Sequence, residues 1–95
     1  MNIFTKRTRM ESLIVDLKKA EKILSEYSGG YSGKHISAEE FHKDILERIK
    51  RLENGDKSVI EDLWIWFATT CQWDDFVGNI ELGERIFQKL DKLKE

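Results

Sequence analysis

Few side chains in this sequence could do chemistry: Cys71, His35, His42, the adjacent carboxylates Asp74 and Asp75, and Gly33-Lys34 in a glycine-rich stretch. A cysteine nucleophile needs a base to generate its thiolate, and either histidine could serve. Nothing nearby in sequence orients such a pair or builds an oxyanion site, and a free cysteine reads as a small apolar residue. The histidines stand seven residues apart, a spacing that with Cys71 and scattered carboxylates makes no zinc motif. They read as surface side chains. Gly33-Lys34 would close a phosphate-binding loop if a glycine stood five residues before Gly33 and a Ser or Thr followed the lysine. Those positions hold Ser28 and His35, so the stretch reads as a helix connector.

Asp74 and Asp75 supply fewer oxygens than a Mg²⁺ or Ca²⁺ site draws on. As general acid and base they would need a cleft and divergent environments. Two readings stay open: one of them caps a helical turn through Phe76 and Val77, or the pair faces a binding partner. The expectation is a protein with no catalytic residue, no metal and no cofactor.

The elements that must position these residues are helices. Met10, Leu13, Ile14, Leu17, Ala20, Leu24 and Tyr27 stripe one helical face, with Thr8 and Glu11 spaced as a capping box. Lys18, Lys19 and Lys22 suit the negative end of its dipole, and Ser28-Gly29-Gly30 stops it. Residues 28–36 form a loop. A second helix starts at Ser37, with Glu40 placed to complete a capping box and Ile36 to staple onto Phe41. It runs through Ile45, Ile49 and Leu52 to Asn54-Gly55. A third begins near Ser58, with Glu61 as its capping partner and Val59, Ile60, Leu63, Trp64 and Phe67 on its core face. Ile65 falls opposite and Trp66 near the edge, so this helix is either buried between others or carries a partner-binding patch. Residues 69–79 connect to a last helix, capped by Asn79 and striped by Leu82, Ile86, Phe87, Leu90 and Leu93.

No segment alternates with a period of two, and proline is absent. These features predict an all-α fold, a compact antiparallel four-helix bundle forming a single domain over residues 1–95. Leu17, Phe41, Leu63, Phe67, Ile86 and Leu90 are its expected core. The lone cysteine fits a reducing compartment, and no apolar run approaches the ~20 residues that span a bilayer. A cytoplasmic protein without membrane contact is expected, as monomer or homodimer.

Charge is unevenly distributed. Between Asp56 and Glu84 seven acidic residues stand against Lys57 alone, a net −6, interleaved with Trp64, Trp66, Trp73 and Phe76. Such a segment either joins core aromatics to solvated acids or forms a surface in which aromatics anchor and carboxylates steer a basic partner. Nucleic acid is not an expected partner. The third helix would be the recognition helix of a helix-turn-helix, yet it carries Glu61 and Asp62 and no Lys or Arg.

Ile36-Ser37-Ala38-Glu39-Glu40-Phe41 opens a helix, followed by a helix rich in large apolar residues. The acidic connector Trp73-Asp74-Asp75-Phe76 and a Leu-rich terminal helix come next. Over residues 10–94 this order resembles the small helical bacterial immunity proteins of the colicin D type. The resemblance implies a cytosolic inhibitor that covers the basic active site of a toxin nuclease with acidic groups. Related immunity proteins serve contact-dependent and other polymorphic toxin systems. On this reading Asp74 and Asp75 pair with toxin Lys or Arg, Trp73 anchors, Glu81 and Glu84 assist, and Asp62 contributes from farther out. The alternative is a small regulatory or scaffold protein that dimerises through its third helix.

Overall fold

The computed structural model describes residues 2–30, 35, 37–68 and 71–94, with side chains from Thr8 onward. It contains helices α1 (Asn2–Leu24), α2 (Ala38–Glu53), α3 (Ile60–Trp66), α4 (Gln72–Phe76) and α5 (Ile80–Lys94), plus a 3₁₀ turn at Lys57–Val59. No β-strand occurs among the described residues, so the all-α expectation holds. Among the described residues the expected four helices become five, because the connector folds a short helix of its own.

α1 starts earlier than expected, so Thr8 and Glu11 lie inside the helix and not at its cap. No proline or glycine stands between Asn2 and Arg7 to stop it. Leu13, Leu17, Ala20 and Leu24 form its buried stripe. The helix ends before Tyr27, which is exposed. There the Ser25 hydroxyl donates to the Lys22 carbonyl at 2.6 Å, and the Tyr27 amide donates to the Leu24 carbonyl in a tightened last turn.

α2 begins as its capping signal requires, with Ser37 Oγ accepting from the Glu40 amide at 3.1 Å. The preceding loop is tied to this start twice. Gly29 donates to the Glu39 carboxylate at 3.0 Å and accepts from the Ala38 amide at 2.8 Å. The Gly29 amide holds the Glu39 carboxyl below its ordinary pKa. Gly33-Lys34 and the Ile36 staple lie outside the described residues. The third helix is not opened by a Ser58–Glu61 box. Asp56 caps the 3₁₀ turn by accepting from the Ser58 amide at 2.9 Å, and Glu61 pairs instead with Lys94 at 2.8 Å.

α1 packs against both α2 and α5, and α5 carries α3 while touching α4. Leu17, Phe41, Leu63, Phe67, Ile86 and Leu90 are all buried, as expected. Each such side chain stabilises the fold by about 1.5–3 kcal/mol through removal from water. Ile65 is exposed as its helical phase requires, whereas Trp66 is buried, not at the edge. Among the described residues no helix is long and apolar enough to cross a membrane.

Candidate functional site

The acidic connector and the start of α5 form a corner organised by Trp73. This indole is 0% exposed. The surface anchor expected from sequence is therefore a core residue, and it fixes the corner from inside. Its ring packs against Phe67 with centroids 5.2 Å apart, and its Nε1 donates to the Asn79 carbonyl at 2.9 Å. The Trp73 carbonyl accepts from the amides of Val77 and Gly78, both at 2.9 Å. Gly78 makes this turn with φ 78°, a conformation that suits glycine. Asn79 then caps α5 as expected, its Oδ1 accepting from the Leu82 amide at 3.1 Å. Gly83 lies directly over the indole, where no larger residue fits without displacement.

Around this pivot Asp75, Glu81 and Glu84 are exposed and Asp74 is half-buried. Asp74 and Asp75 also make interactions within the chain. Asp62 does not join them. It lies on α3, turned toward α2, with Oδ2 accepting from Arg48 Nη2 at 3.1 Å. Beside it, Arg48 lies over the Trp66 ring at 5.0 Å.

The charge segregation seen along the chain is partly cancelled in space. Asp56 pairs with Arg51 at 2.9 Å, Asp62 with Arg48 and Glu61 with Lys94. Among the described residues, cations of α2 and α5 thus fold onto three of the seven acids, and Asp74 and Asp75 have interactions of their own. The aromatics are mostly interior as well. Trp66 is buried, and half-buried Trp64 stacks on Phe87 at 5.4 Å while donating to Asp91 at 3.2 Å. The most exposed large apolar side chain at the corner is Ile80, at 70%.

Two polar clusters escaped the sequence reading. His35, expected on the surface, is 1% exposed. Gln72 Nε2 donates to its Nδ1 at 3.1 Å, leaving Nε2–H to donate to Asp44 at 2.8 Å. Phe41 and Trp66 flank the ring with centroids 5.1 and 5.0 Å away. His35 lies in a loop with no periodicity, so no sequence signal marked its burial. His42, half-buried, pairs with Glu21 at 2.8 Å. Both His35 nitrogens are engaged by Gln72 and Asp44 rather than by Cys71, which is half-buried at the start of α4. Among the described residues no three His, Cys, Asp or Glu side chains converge as metal ligands.

The second cluster joins α1 to α5. Asp16, 4% exposed, accepts from Arg85 Nε at 3.1 Å, from Arg85 Nη2 at 3.3 Å and from Lys89 Nζ. Lys89 also donates to Ser12 Oγ at 2.6 Å. Burial pushes the Asp16 carboxyl up, but the hydrogen bonds and charges of Lys89 and Arg85 outweigh it and hold the group below its ordinary value. A signal for this was present: Asp16 interrupts the Leu13–Leu17 stripe, and Arg85 and Lys89 stand one turn apart.

Comparison of the chain with protein families, curated proteins and solved structures found no match in any of the three.

Proposed function

We propose that this chain is a non-enzymatic protein-binding module that engages a basic partner through the corner where α4 meets α5. The observation that carries this reading is the set of carboxylates Asp74, Asp75, Glu81 and Glu84 on a turn braced by a buried indole. A braced surface loses little conformational entropy on binding, and its acids steer a cationic partner toward it. Exposed Ile80 takes the anchoring role first assigned to Trp73, and Asp62, committed to Arg48, is peripheral.

The resemblance to bacterial immunity proteins makes a cognate toxin domain in the cytoplasm the partner we favour. The corner would cover a basic, nuclease-type active site. We further propose that α1, α2, the 3₁₀–α3 segment and α5 form an antiparallel four-helix bundle into which α4 is inserted. Two sets of contacts support this order: Glu61 and Trp64 of α3 meet Lys94 and Asp91 of α5, and Ser12 and Asp16 of α1 meet Lys89 and Arg85.

The test is to co-express the chain with the toxin domain encoded beside its gene and to compare it with the Asp74→Lys, Asp75→Lys variant. Protection should be lost while far-UV circular dichroism stays helical, because reversal converts attraction to repulsion costing several kcal/mol. Full protection by a normally folded double variant rejects the acidic corner. One observation favours a second reading, a regulatory protein that dimerises through α3: Ile65 on that helix is 43% exposed.

A further inference from the structure

A groove of about 410 Å³ runs between α1 and the start of α5. One wall carries Lys19 and Lys22, exposed residues that form no ion pair with any other described residue. Arg85 enters from the other wall. Asp16 occupies its Nε and Nη2, which leaves Nη1 for a ligand. Ile23 and Leu82 give the groove an apolar lining, and Glu81 stands at its α5 side.

We infer that this groove takes a carboxylate-bearing segment of a protein partner, an acidic stretch interrupted by aliphatic residues. The inference goes beyond the acidic corner: the groove shares Glu81 with it but does not require that the corner bind a basic partner. The charge of the α1 wall selects an anion, and the chemistry of the rest selects which kind. Glu81 occupies the first turn of α5, where a compact phosphate would otherwise sit against the helix dipole. A dense dianion there meets a like charge. Separated carboxylates avoid it. Lys19 and Lys22 lie about 4.5 Å apart along the helix axis, and same-side residues of an extended peptide repeat about every 6.6 Å. Flexible lysine stems close that difference. The intervening aliphatic side chains then cover half-buried Ile23, which a small inorganic anion leaves wet.

The experiment is a titration of the isotope-labelled full chain, followed by amide NMR shifts. The probes are acetyl-Glu-Leu-Glu-Leu amide, acetyl-Lys-Leu-Lys-Leu amide and inorganic phosphate. The acidic peptide should shift the amides of Lys19, Lys22 and Leu82 saturably, and the basic peptide should not. Phosphate at tenfold higher concentration should not displace it. Lys19→Ser with Lys22→Ser should weaken the acidic peptide about tenfold, and each single Ser variant should weaken it less. The single variants decide the matter if the double one fails to fold. Asp74→Lys with Asp75→Lys should leave this binding intact, which separates it from the corner. The inference is overturned by absence of saturable shifts at those amides, by equal competition from phosphate, or by serine variants that bind as well as the original.

Discussion

Replacing Gly83 with alanine sets helix propensity against packing, and the structure decides the sign. Alanine within a helix is favoured over glycine by about 1 kcal/mol, so an open position in α5 would gain stability. At position 83 a Cβ would lie 2.5 Å from Cδ1 and 2.7 Å from Nε1 of Trp73. Both distances are far inside van der Waals contact, so the indole or the helix must move. Trp73 is fully buried and packed against Phe67, so any movement of the indole disturbs the core. Overpacking of this kind costs about 1–3 kcal/mol. Rotating Nε1 away from the Asn79 carbonyl would also strand a buried donor, at about 1–3 kcal/mol. Set against the propensity gain, these terms give a net destabilisation of about 1–5 kcal/mol. Urea denaturation followed by tryptophan fluorescence should show an earlier midpoint with unchanged slope. The melting temperature should fall by about 4–8 °C per kcal/mol. Adding Trp73→Phe shrinks the ring and removes the donor, so the double variant should lose less than the sum of the singles. A Gly83→Ala protein as stable as the original, or costs that simply add, would refute the argument.

Asp16→Asn should destabilise the fold by about 1–2 kcal/mol, since it removes the shared carboxylate between Arg85 and Lys89 but leaves those half-exposed cations near water. Because the folded Asp16 carboxyl titrates below its ordinary 3.8, its contribution is present above that pH and is lost as pH falls through the folded value. The Asn variant should therefore show a flatter loss of stability in acid, measured by denaturation from pH 6 downward; parallel curves would contradict this. Carboxyl NMR should place Asp56 at about 2, held down by the Ser58 hydroxyl and amide and by Arg51, and a midpoint near 3.8 would mean these bonds do not persist in solution. For the dimer reading, Ile65→Glu should turn a dimer into a folded monomer in sedimentation. An unmodified protein that is already monomeric at high concentration removes that reading.

Legibility from sequence followed the range of the physics involved. Caps act within three residues, and Ser37 and Asn79 were readable as they stand. Apolar stripes of several turns located the main part of the core. α4 was missed because five residues make too little of a helix for a period to show. Trp73 misled for a related reason. A lone indole beside two aspartates looks like a surface anchor, and only the approach of Gly83 and Phe67 reveals it as interior. The acidic segment looked more negative than it is because its partners come from distant sequence: Arg48 reaches Asp62 across 14 positions and Lys94 reaches Glu61 across 33. His35 had neither stripe nor motif, and its burial depends on Gln72, 37 positions away.

The Asp16–Arg85 contact spans 69 positions, and this has a consequence for how the chain acquires its structure. Closing a segment of that length costs about 1.7 kcal/mol more than closing one of ten residues, on the logarithmic scaling of loop entropy. α1 and α2 are neighbours along the chain and can meet early. The face of α1 that receives α5 has no cover until the last helix exists. At about 5–20 residues per second of synthesis, the roughly 60 residues between Leu24 and Arg85 take about 3–12 seconds to add. Throughout that interval the growing chain presents an unmatched apolar stripe together with Asp16, whose cations have not yet been made. Ribosome-bound fragments stopped before Ile80 should therefore remain protease-sensitive along α1, and protection should arrive abruptly with the α5 turn that carries Arg85 and Lys89.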